Sequence, residues 1–320
     1  MIKNYFISSW CLLWLLSCSS TDPNNTTSGE AKKYLNEVLS LMENRSIHRK
    51  TIDWSGFKSR VYEKAGDAQT VAETYEAIDE ALTILGDNHS LLRTSDGAVL
   101  YGVRKKKCEV ESIPPVSVPD NIGYLKITSF VGGGEKAADF AEELQNQIRA
   151  ADSPSLVGWI VDLRGNTGGN MWPMLAGVSP ILGEDTVGYF QSVNQQFSPW
   201  EIRDGSSYGG NSLATLVPQP YTLINPEPKV AVLLDNGVMS SGEATAIAFV
   251  GRENTRSFGS PTCGASTGNV TNELSDGSVL ILTVSYMADR NQKVYGIPVE
   301  PDEVVEPEEV VQRAVEWLTQ

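Results

Sequence analysis

The chain has 320 residues, of which 41% are apolar and 20% charged, and its formal net charge is −15. This length and composition suffice for one large core or two smaller ones and exclude a disordered or collagen-like chain. Because a strongly acidic protein repels phosphate backbones, we expect no nucleic-acid partner. The two histidines and four cysteines show no metal-ligand spacing, so no metal and no other cofactor is expected.

The first residues have the features of a signal peptide. Lys3 precedes an apolar stretch, residues 5–16, that is shorter than the roughly 20 residues needed to cross a bilayer. Leu15-Leu16-Ser17-Cys18 resembles the lipobox of bacterial lipoproteins. We therefore predict a lipoprotein signal peptide over residues 1–17 and a polar tether over 18–29. The protein would be anchored through acylated Cys18, its only membrane contact, in the periplasm or at the cell surface. Ordinary secretory cleavage is the alternative.

Between Glu30 and Leu92 apolar residues recur at helical spacing, which predicts an N-terminal subdomain of two or three helices over residues 30–92. His89 is expected in the loop just beyond the last of these helices. Residues 93–320 are predicted to form the second, catalytic domain.

Short apolar runs from residue 91 onward predict an α/β domain. Runs at 122–130 and 156–163 flank a predicted helix at 137–150, which indicates a parallel strand–helix–strand crossover. The unit recurs with a strand at 230–234, a helix at 242–250 and a strand at 255–258. The remaining predictions are an Asp-Gly hairpin in 274–284, a C-terminal helix over 304–320, and an irregular, ordered flap rich in aromatic residues between 188 and 221.

Ser240 lies where the strand at 230–234 passes through a turn into a helix. The free N–H groups and the dipole at a helix N-terminus can stabilise an oxyanion beside its Oγ. The sequence Ser240-Ser241-Gly242-Glu243 also fits a capping box, which by itself favours a structural role.

A glycine-rich stretch, Asp162-Leu-Arg-Gly-Asn-Thr-Gly-Gly-Asn170, follows another predicted strand. Its three glycines allow the backbone to approach a ligand closely, so the N–H of Gly168 or Gly169 can face an anion. A phosphate-binding loop and a plain tight turn are the alternatives, and the dinucleotide-binding glycine spacing is absent.

A serine nucleophile needs a general base, and the two histidines are His48 and His89. His48 belongs to a basic segment expected at an exposed helix end, whereas His89 lies in a loop near an acidic residue. His89 is therefore the preferred base, and an ordinary surface or capping histidine is the alternative.

Together these stretches resemble the C-terminal processing protease and tricorn protease family of serine peptidases, which also includes the interphotoreceptor retinoid-binding protein. The similarity runs from about residue 80 to 305, and it is the ordered series of motifs at 162–169, 230–243, 251–262, 274–277 and 299–302 that is specific. The resemblance implies a crotonase-like α/β core, a peptide or protein substrate and Ser240 as nucleophile. It also implies oxyanion or substrate-binding amides at Ser241, Gly168 and Gly169.

The sequence departs from the processing proteases in two ways. Ala265 stands where they carry the lysine base, so the resemblance favours the tricorn-like branch, in which a histidine matching His89 is the base. Its further partner is left open between Glu300 and Asp87. Only about thirty residues separate Leu92 from Asn121, too few for the PDZ module of that family.

The sequence thus predicts a secreted or lipid-anchored serine peptidase that works through an acyl-enzyme, with Ser240 as nucleophile and His89 as base. A non-catalytic ligand-binding module on the same fold and an esterase for small acyl substrates are the alternatives. Whether Cys108 pairs with Cys263 and whether the chain forms oligomers stay open.

Overall fold

The computed structural model of the protein describes residues 27–104, 108–109, 113 and 115–320. The predicted signal peptide, Cys18 and most of the tether lie outside these residues. Among the described residues, no helix has the length and apolarity needed to cross a membrane.

Three α-helices begin the described chain: α1 (Gly29–Arg45), α2 (Trp54–Ala65) and α3 (Tyr75–Leu85). Side chains cap the first two, since Ser28 accepts a hydrogen bond from Ala31 N–H and Asp53 accepts one from Ser55 N–H. Helix α3 ends at Gly86, whose left-handed backbone favours glycine. The helical periodicity in this part of the sequence is confirmed.

The rest of the described chain forms thirteen strands in two sheets, together with four further α-helices. The helices are α4 (Glu135–Ala151), α5 (Met171–Leu182), α6 (Ser241–Phe249) and α7 (Val310–Leu318). In chain order the strands are β1 (Leu91–Arg93), β2 (Val99–Leu100), β3 (Ile122–Lys126), β4 (Gly158–Asp162), β5 (Asp185–Ser192), β6 (Phe197–Arg203), β7 (Ser206–Gly209), β8 (Ser212–Thr215), β9 (Lys229–Leu234), β10 (Thr255–Gly259), β11 (Thr267–Glu273), β12 (Val279–Ala288) and β13 (Glu303–Val304).

One sheet is parallel, with the strand order β13-β10-β9-β4-β3. Helix α4 connects β3 to β4 and α6 connects β9 to β10, so both predicted crossovers are confirmed. Every residue of β4 is buried, which explains the apolar residues Trp159, Ile160 and Val161 in succession. Because β4 and β9 are adjacent and parallel, the loops that follow them lie at the same edge of the sheet.

The second sheet has the order β2-β1-β12-β5-β6-β7-β8, with β11 also paired to β12. The predicted Asp-Gly hairpin joins β11 to β12, and Gly277 in its turn has a φ of +81°. Leu92 of this sheet, together with Leu280 and Leu282, shares one buried cluster with helices α1 to α3. The N-terminal helices therefore pack on the sheet rather than form a core of their own.

The prediction of an irregular flap at 188–221 was wrong in form, because β5 to β8 form an antiparallel meander there. Glycines pack against tryptophan rings along these strands: a Cβ on Gly188 would lie 2.5 Å from the ring of Trp200, and one on Gly209 would lie 3.2 Å from that of Trp172. Glycine at such positions removes the alternation of apolar and polar residues that normally indicates a strand.

The predicted C-terminal helix is shorter than expected. Glu303 and Val304 form β13, which pairs with β10, and α7 begins only at Val310. The strand pairing removes residues 303 and 304 from the helix, and Pro307 disfavours a helical conformation at Glu306.

Replacing Leu92 by Ala tests whether the helices and the sheet unfold together. Leu92 is fully buried between them, so its truncation is expected to lower the free energy of unfolding by about 2–5 kcal/mol. Urea denaturation followed by circular dichroism and tryptophan fluorescence should show one shifted transition. Val131→Ala, at a residue that is 88% exposed, is the control and should change stability by less than about 0.5 kcal/mol. Two separate transitions, only one of them shifted, would contradict a shared core.

Candidate active site

The loops after β4 and β9, which carry the glycine-rich stretch and Ser240, are in direct contact. Met239 N–H donates to the carbonyl oxygen of Asn166 at 3.0 Å, and Ser241 Oγ donates to that of Gly169 at 2.7 Å. Farther from Ser240, Gly165 N–H donates to Asp235 Oδ1 at 2.9 Å. The two motifs that the sequence singled out, about seventy positions apart, thus form one site.

Ser240 has an unusual backbone conformation, with φ 53° and ψ −117°. A serine rarely adopts a positive φ, and such strain is typical of residues held in place for a function. Ser240 immediately precedes α6 and is partly exposed. Its side chain is therefore presented at a helix N-terminus, as expected of a nucleophile.

Glu243 holds the backbone of Ser240 in this conformation. Its carboxylate accepts a hydrogen bond from Ser240 N–H at 3.0 Å, and it also accepts from the Thr262 hydroxyl and from Gly264 N–H at 2.7 Å. Complete burial raises the pKa of Glu243 to about 7, against the effect of the hydrogen bonds that it accepts. The glutamate of the capping-box pattern thus links Ser240 to the loop at 262–267.

Two backbone amides near Ser240 are available to a ligand. Within the described part of the chain, neither Ser241 N–H nor Gly169 N–H donates a hydrogen bond, whereas Gly168 N–H donates to Asn166 Oδ1 at 2.9 Å. Gly168 contributes space instead: a Cβ there would lie 2.9 Å from both Met239 O and the Cβ of Ser240. Its φ of +97° also favours glycine.

A buried ionic network fixes the start of the glycine-rich loop. The carboxylate of Asp162 receives two hydrogen bonds from the Arg164 guanidinium, at 3.0 and 2.8 Å, and one from Tyr124 OH at 2.8 Å. Lys126 Nζ lies 3.2 Å from the same carboxylate. Burial opposes ionisation of Asp162, but these partners hold its pKa below the usual value. The network keeps the loop in register with β4.

His89 lies in the loop between α3 and β1, as predicted. Its ring Nδ1 is 2.7 Å from Thr267 Oγ1, so Nε2 is the ring nitrogen left for proton transfer. Burial lowers the pKa of His89 to about 4, and the positive charge of Arg104 contributes to this shift while Asp87 opposes it. The imidazole is therefore neutral near pH 7, the form that a general base requires.

The loop at 262–267 lies between the two predicted catalytic residues. Gly264 N–H binds Glu243 on the Ser240 side, Thr267 N–H binds Ala265 O at 2.8 Å, and the Thr267 side chain reaches His89. No hydrogen bond joins Ser240 Oγ to the His89 ring in the described structure. Such contacts are often long in free enzymes and shorten when substrate binds.

In the described structure, neither of the two residues considered as a further partner makes a hydrogen bond to the His89 ring. Asp87 Oδ1 accepts from the N–H groups of His89 and Ser90, at 2.9 and 2.6 Å, and its Oδ2 accepts from Ser90 Oγ. Glu300 is exposed and lines a cavity of about 330 Å³ beside the C-terminal part of α6. The ring partner is Thr267, which the sequence did not reveal because a single hydroxyl 178 positions away carries no recognisable pattern.

Two further sequence questions are answered by the structure. His48 lies in the turn that follows α1, where its carbonyl accepts from Thr51 N–H. Cys108 and Cys263 form a disulfide. Because Cys263 N–H also donates to Val238 O at 2.9 Å, the disulfide attaches residue 108 to the loop beside Ser240.

Comparison with known proteins places this chain in a family. The sequence model of Peptidase family S41 matches residues 121–305. The chain is 29% identical to the nisin-resistance protein of Lactococcus lactis subsp. lactis over 288 residues, which cover 90% of this chain and 86% of that protein. A lipoprotein structure from Streptococcus agalactiae has a TM-score of 0.72 at 24% identity, covering 91% of this chain and 96% of that one. The photosystem II D1 C-terminal processing protease has a TM-score of 0.57 at 16% identity, covering 90% and 99%. The two structures show that the mixed α/β fold is shared.

The acidity of His89 can be measured directly by NMR, because His48 is the only other histidine and a His48→Gln variant assigns the signals. The His89 ring should titrate with a midpoint at about 4, against about 6.5 for an unperturbed histidine. The unfolded chain therefore takes up this proton first as the pH falls. The stability contributed by neutral His89 should be lost progressively between about pH 6.5 and pH 4. A midpoint at or above 6.5 would contradict the buried environment.

Gly168→Ala tests the close contact between the glycine-rich loop and Ser240. The methyl group would force the two loops apart, which should slow labelling of Ser240 by a fluorophosphonate by about tenfold or more. Gly133→Ala is the matched control, because a Cβ there has no atom within 4 Å, and it should label at the rate of the unmodified protein. Normal labelling of Gly168→Ala would mean that the loop does not constrain the serine.

Proposed function

Because the chain belongs to peptidase family S41, we propose that it is a serine peptidase in which Ser240 is the nucleophile and His89 the general base. The observation that carries the proposal is the strained backbone of Ser240 at the start of α6, in contact with the glycine-rich loop. This is the arrangement expected of a serine placed next to oxyanion donors. A crotonase-like core is part of the proposal.

The reaction follows from the contacts of these residues. His89 Nε2 takes the proton of Ser240 Oγ while Oγ attacks the scissile carbonyl carbon. The oxyanion accepts hydrogen bonds from Ser241 N–H and Gly169 N–H, and Gly168 gives the substrate room to approach. His89 then gives the proton to the leaving amine as the C–N bond breaks, which leaves an ester on Ser240. Water hydrolyses this ester with His89 again as base, releasing the acid and restoring both residues.

Thr267 is proposed as a positioning residue. A general base needs a defined ring orientation, and the contact at Nδ1 supplies it. Because a hydroxyl is neutral, it orients the imidazole without stabilising the imidazolium as strongly as a carboxylate would. This fits the low pKa of His89.

The cellular setting and the substrate are also proposals. The lipobox-like sequence at Cys18 supports a lipid-anchored protein at the periplasmic or outer face of a bacterial membrane, where a disulfide such as Cys108–Cys263 is stable. The relative that aligns over 90% of the chain is named for nisin resistance. Nisin is therefore the first defined peptide to test as a substrate.

Ser240→Ala tests the assignment of the nucleophile. Covalent labelling by a fluorophosphonate should be abolished, and hydrolysis of nisin or of a peptide library should fall by at least about a thousandfold, since removal of a catalytic serine leaves only binding and oxyanion stabilisation. Labelling is followed by intact-protein mass spectrometry and hydrolysis by identification of the peptide products.

Ser155→Ala, at an exposed serine beyond α4, is the control and should label normally. Labelling that persists in Ser240→Ala and disappears when another serine is replaced would refute the assignment. Ligand binding with neither labelling nor turnover would favour the non-catalytic module. Ser240-dependent hydrolysis confined to p-nitrophenyl esters would favour the esterase.

A further inference from the structure

Arg104 is a cation near His89 that has no hydrogen-bonded or ion-paired partner in the part of the chain that the structure describes. Its Nε is buried and has no hydrogen-bond partner, and the described residues provide neither a hydrogen bond nor an ion pair to its guanidinium. The guanidinium stacks on the Tyr101 ring, 4.4 Å from the ring centroid. A partly buried guanidinium without an acceptor is unfavourable, because desolvation is not offset by pairing.

The position of Arg104 is fixed by the fold. The segment after β2 runs along α3, where Gly102 N–H donates to Asp79 Oδ1 and Val103 N–H donates to Thr83 Oγ1, both at 2.8 Å. Gly102 is packed so closely that a Cβ would lie 2.5 Å from Thr83 N. Arg104 is therefore held near the end of α3, where the loop to His89 begins.

The nearby carboxylate does not neutralise Arg104. Asp87 interacts electrostatically with both Arg104 and His89. However, its two oxygens accept hydrogen bonds from the backbone of His89 and from Ser90, and none from the guanidinium. In a chain with a net charge of −15, a cation that no acid among the described residues pairs with can bind an anion that arrives with a ligand.

We propose that Arg104 is a specificity-determining residue that binds a carboxylate of the peptide substrate next to His89. The inference rests on the proposed peptidase function and adds the chemistry of its substrate. A guanidinium binds a carboxylate through two parallel hydrogen bonds, which gives orientation as well as affinity. The carboxylate can be the substrate's C-terminus or an acidic side chain near the scissile bond.

Binding of a carboxylate would also act on the base. The charged groups that face the His89 ring are Arg104 and Asp87, and its hydrogen-bond partner Thr267 is neutral. A carboxylate on Arg104 offsets the field that disfavours the imidazolium, so His89 becomes more basic when such a substrate is bound. A carboxylate-bearing substrate would thereby raise the basicity of His89, which takes the proton from Ser240.

The test uses randomised octapeptides without Asp or Glu, prepared once with a free C-terminal carboxylate and once as C-terminal amides. A third set consists of amides with one Asp or Glu at each position. Competitive digestion followed by mass spectrometry gives the ratio of kcat/KM for carboxylate-bearing peptides to that for the plain amides. The unmodified protein should prefer one carboxylate-bearing set, which identifies the source of the group.

In Arg104→Gln that ratio should fall by about ten- to hundredfold, the usual effect of losing hydrogen bonds to a charged group. Arg104→Lys should be intermediate, because it keeps the charge and loses the planar fork. Arg149→Gln is the matched control: Arg149 also stacks on a tyrosine ring, that of Tyr221, but lies in the last turn of α4, near the amino end of β4. It should keep the ratio of the unmodified protein.

A second readout does not depend on turnover. In Ser240→Ala, the preferred carboxylate peptides should raise the NMR titration midpoint of His89, while plain amides leave it unchanged and His48 does not respond. Equal cleavage of all sets, a preference that survives in Arg104→Gln, or no shift of His89 with any carboxylate peptide would overturn the proposal. If labelling and cleavage are absent but the His89 shift occurs, the peptidase function fails and the carboxylate site stands.

Discussion

The site depends on the pairing of two parallel strands, β4 and β9. Their register places the loop after each at the same edge of the sheet, so that Asn166 and Gly169 in one loop receive hydrogen bonds from Met239 and Ser241 in the other. Glycine at 168 and 169 permits this approach, because a Cβ at Gly169 would lie 1.9 Å from the carbonyl oxygen of Phe130. The strained Ser240 backbone is held between these contacts and Glu243. A shift of one strand against the other would separate the serine from the Gly168 and Gly169 backbone and from the amides proposed as oxyanion donors.

Burial favours the neutral form of both Glu243 and His89. It raises the pKa of Glu243 to about 7 and lowers that of His89 to about 4. In both cases the neutral form is favoured, because desolvation penalises whichever form carries charge. Around His89 the charged groups among the described residues are Asp87 and Arg104, and Arg104 has no hydrogen bond or ion pair there. Substrate charge can therefore have a large effect on the base, whereas in a solvated cleft it would be screened.

A disulfide and the packing of the N-terminal helices position the loops that carry Thr267 and His89. The disulfide at Cys263 and the hydrogen bonds of Thr262 and Gly264 to Glu243 fix the loop at 262–267, which carries Thr267 and lies between Ser240 and His89. The helices α1 to α3 share their core with β1 and β12, which places the end of α3, and with it His89, against the β11–β12 hairpin. A residue that follows the N-terminal helices thus contacts, through Thr267, the loop whose Gly264 N–H binds Glu243.

The sequence by itself determined the strand–helix–strand units, the Asp-Gly hairpin, the α/β class and the two loops with Ser240 and the glycine-rich stretch, because each depends on neighbouring residues whose pattern is local. It did not determine the β5–β8 meander, where glycines pack against tryptophan rings and the alternation is lost. Nor did it identify Thr267 as the partner of His89, or Arg104 as a cation without a hydrogen bond or ion pair among the described residues. Those roles follow from side chains that are distant in sequence and adjacent only after folding. Whether a hydroxyl orients a ring, or a guanidinium lacks an acceptor, is decided by what the tertiary structure places around it.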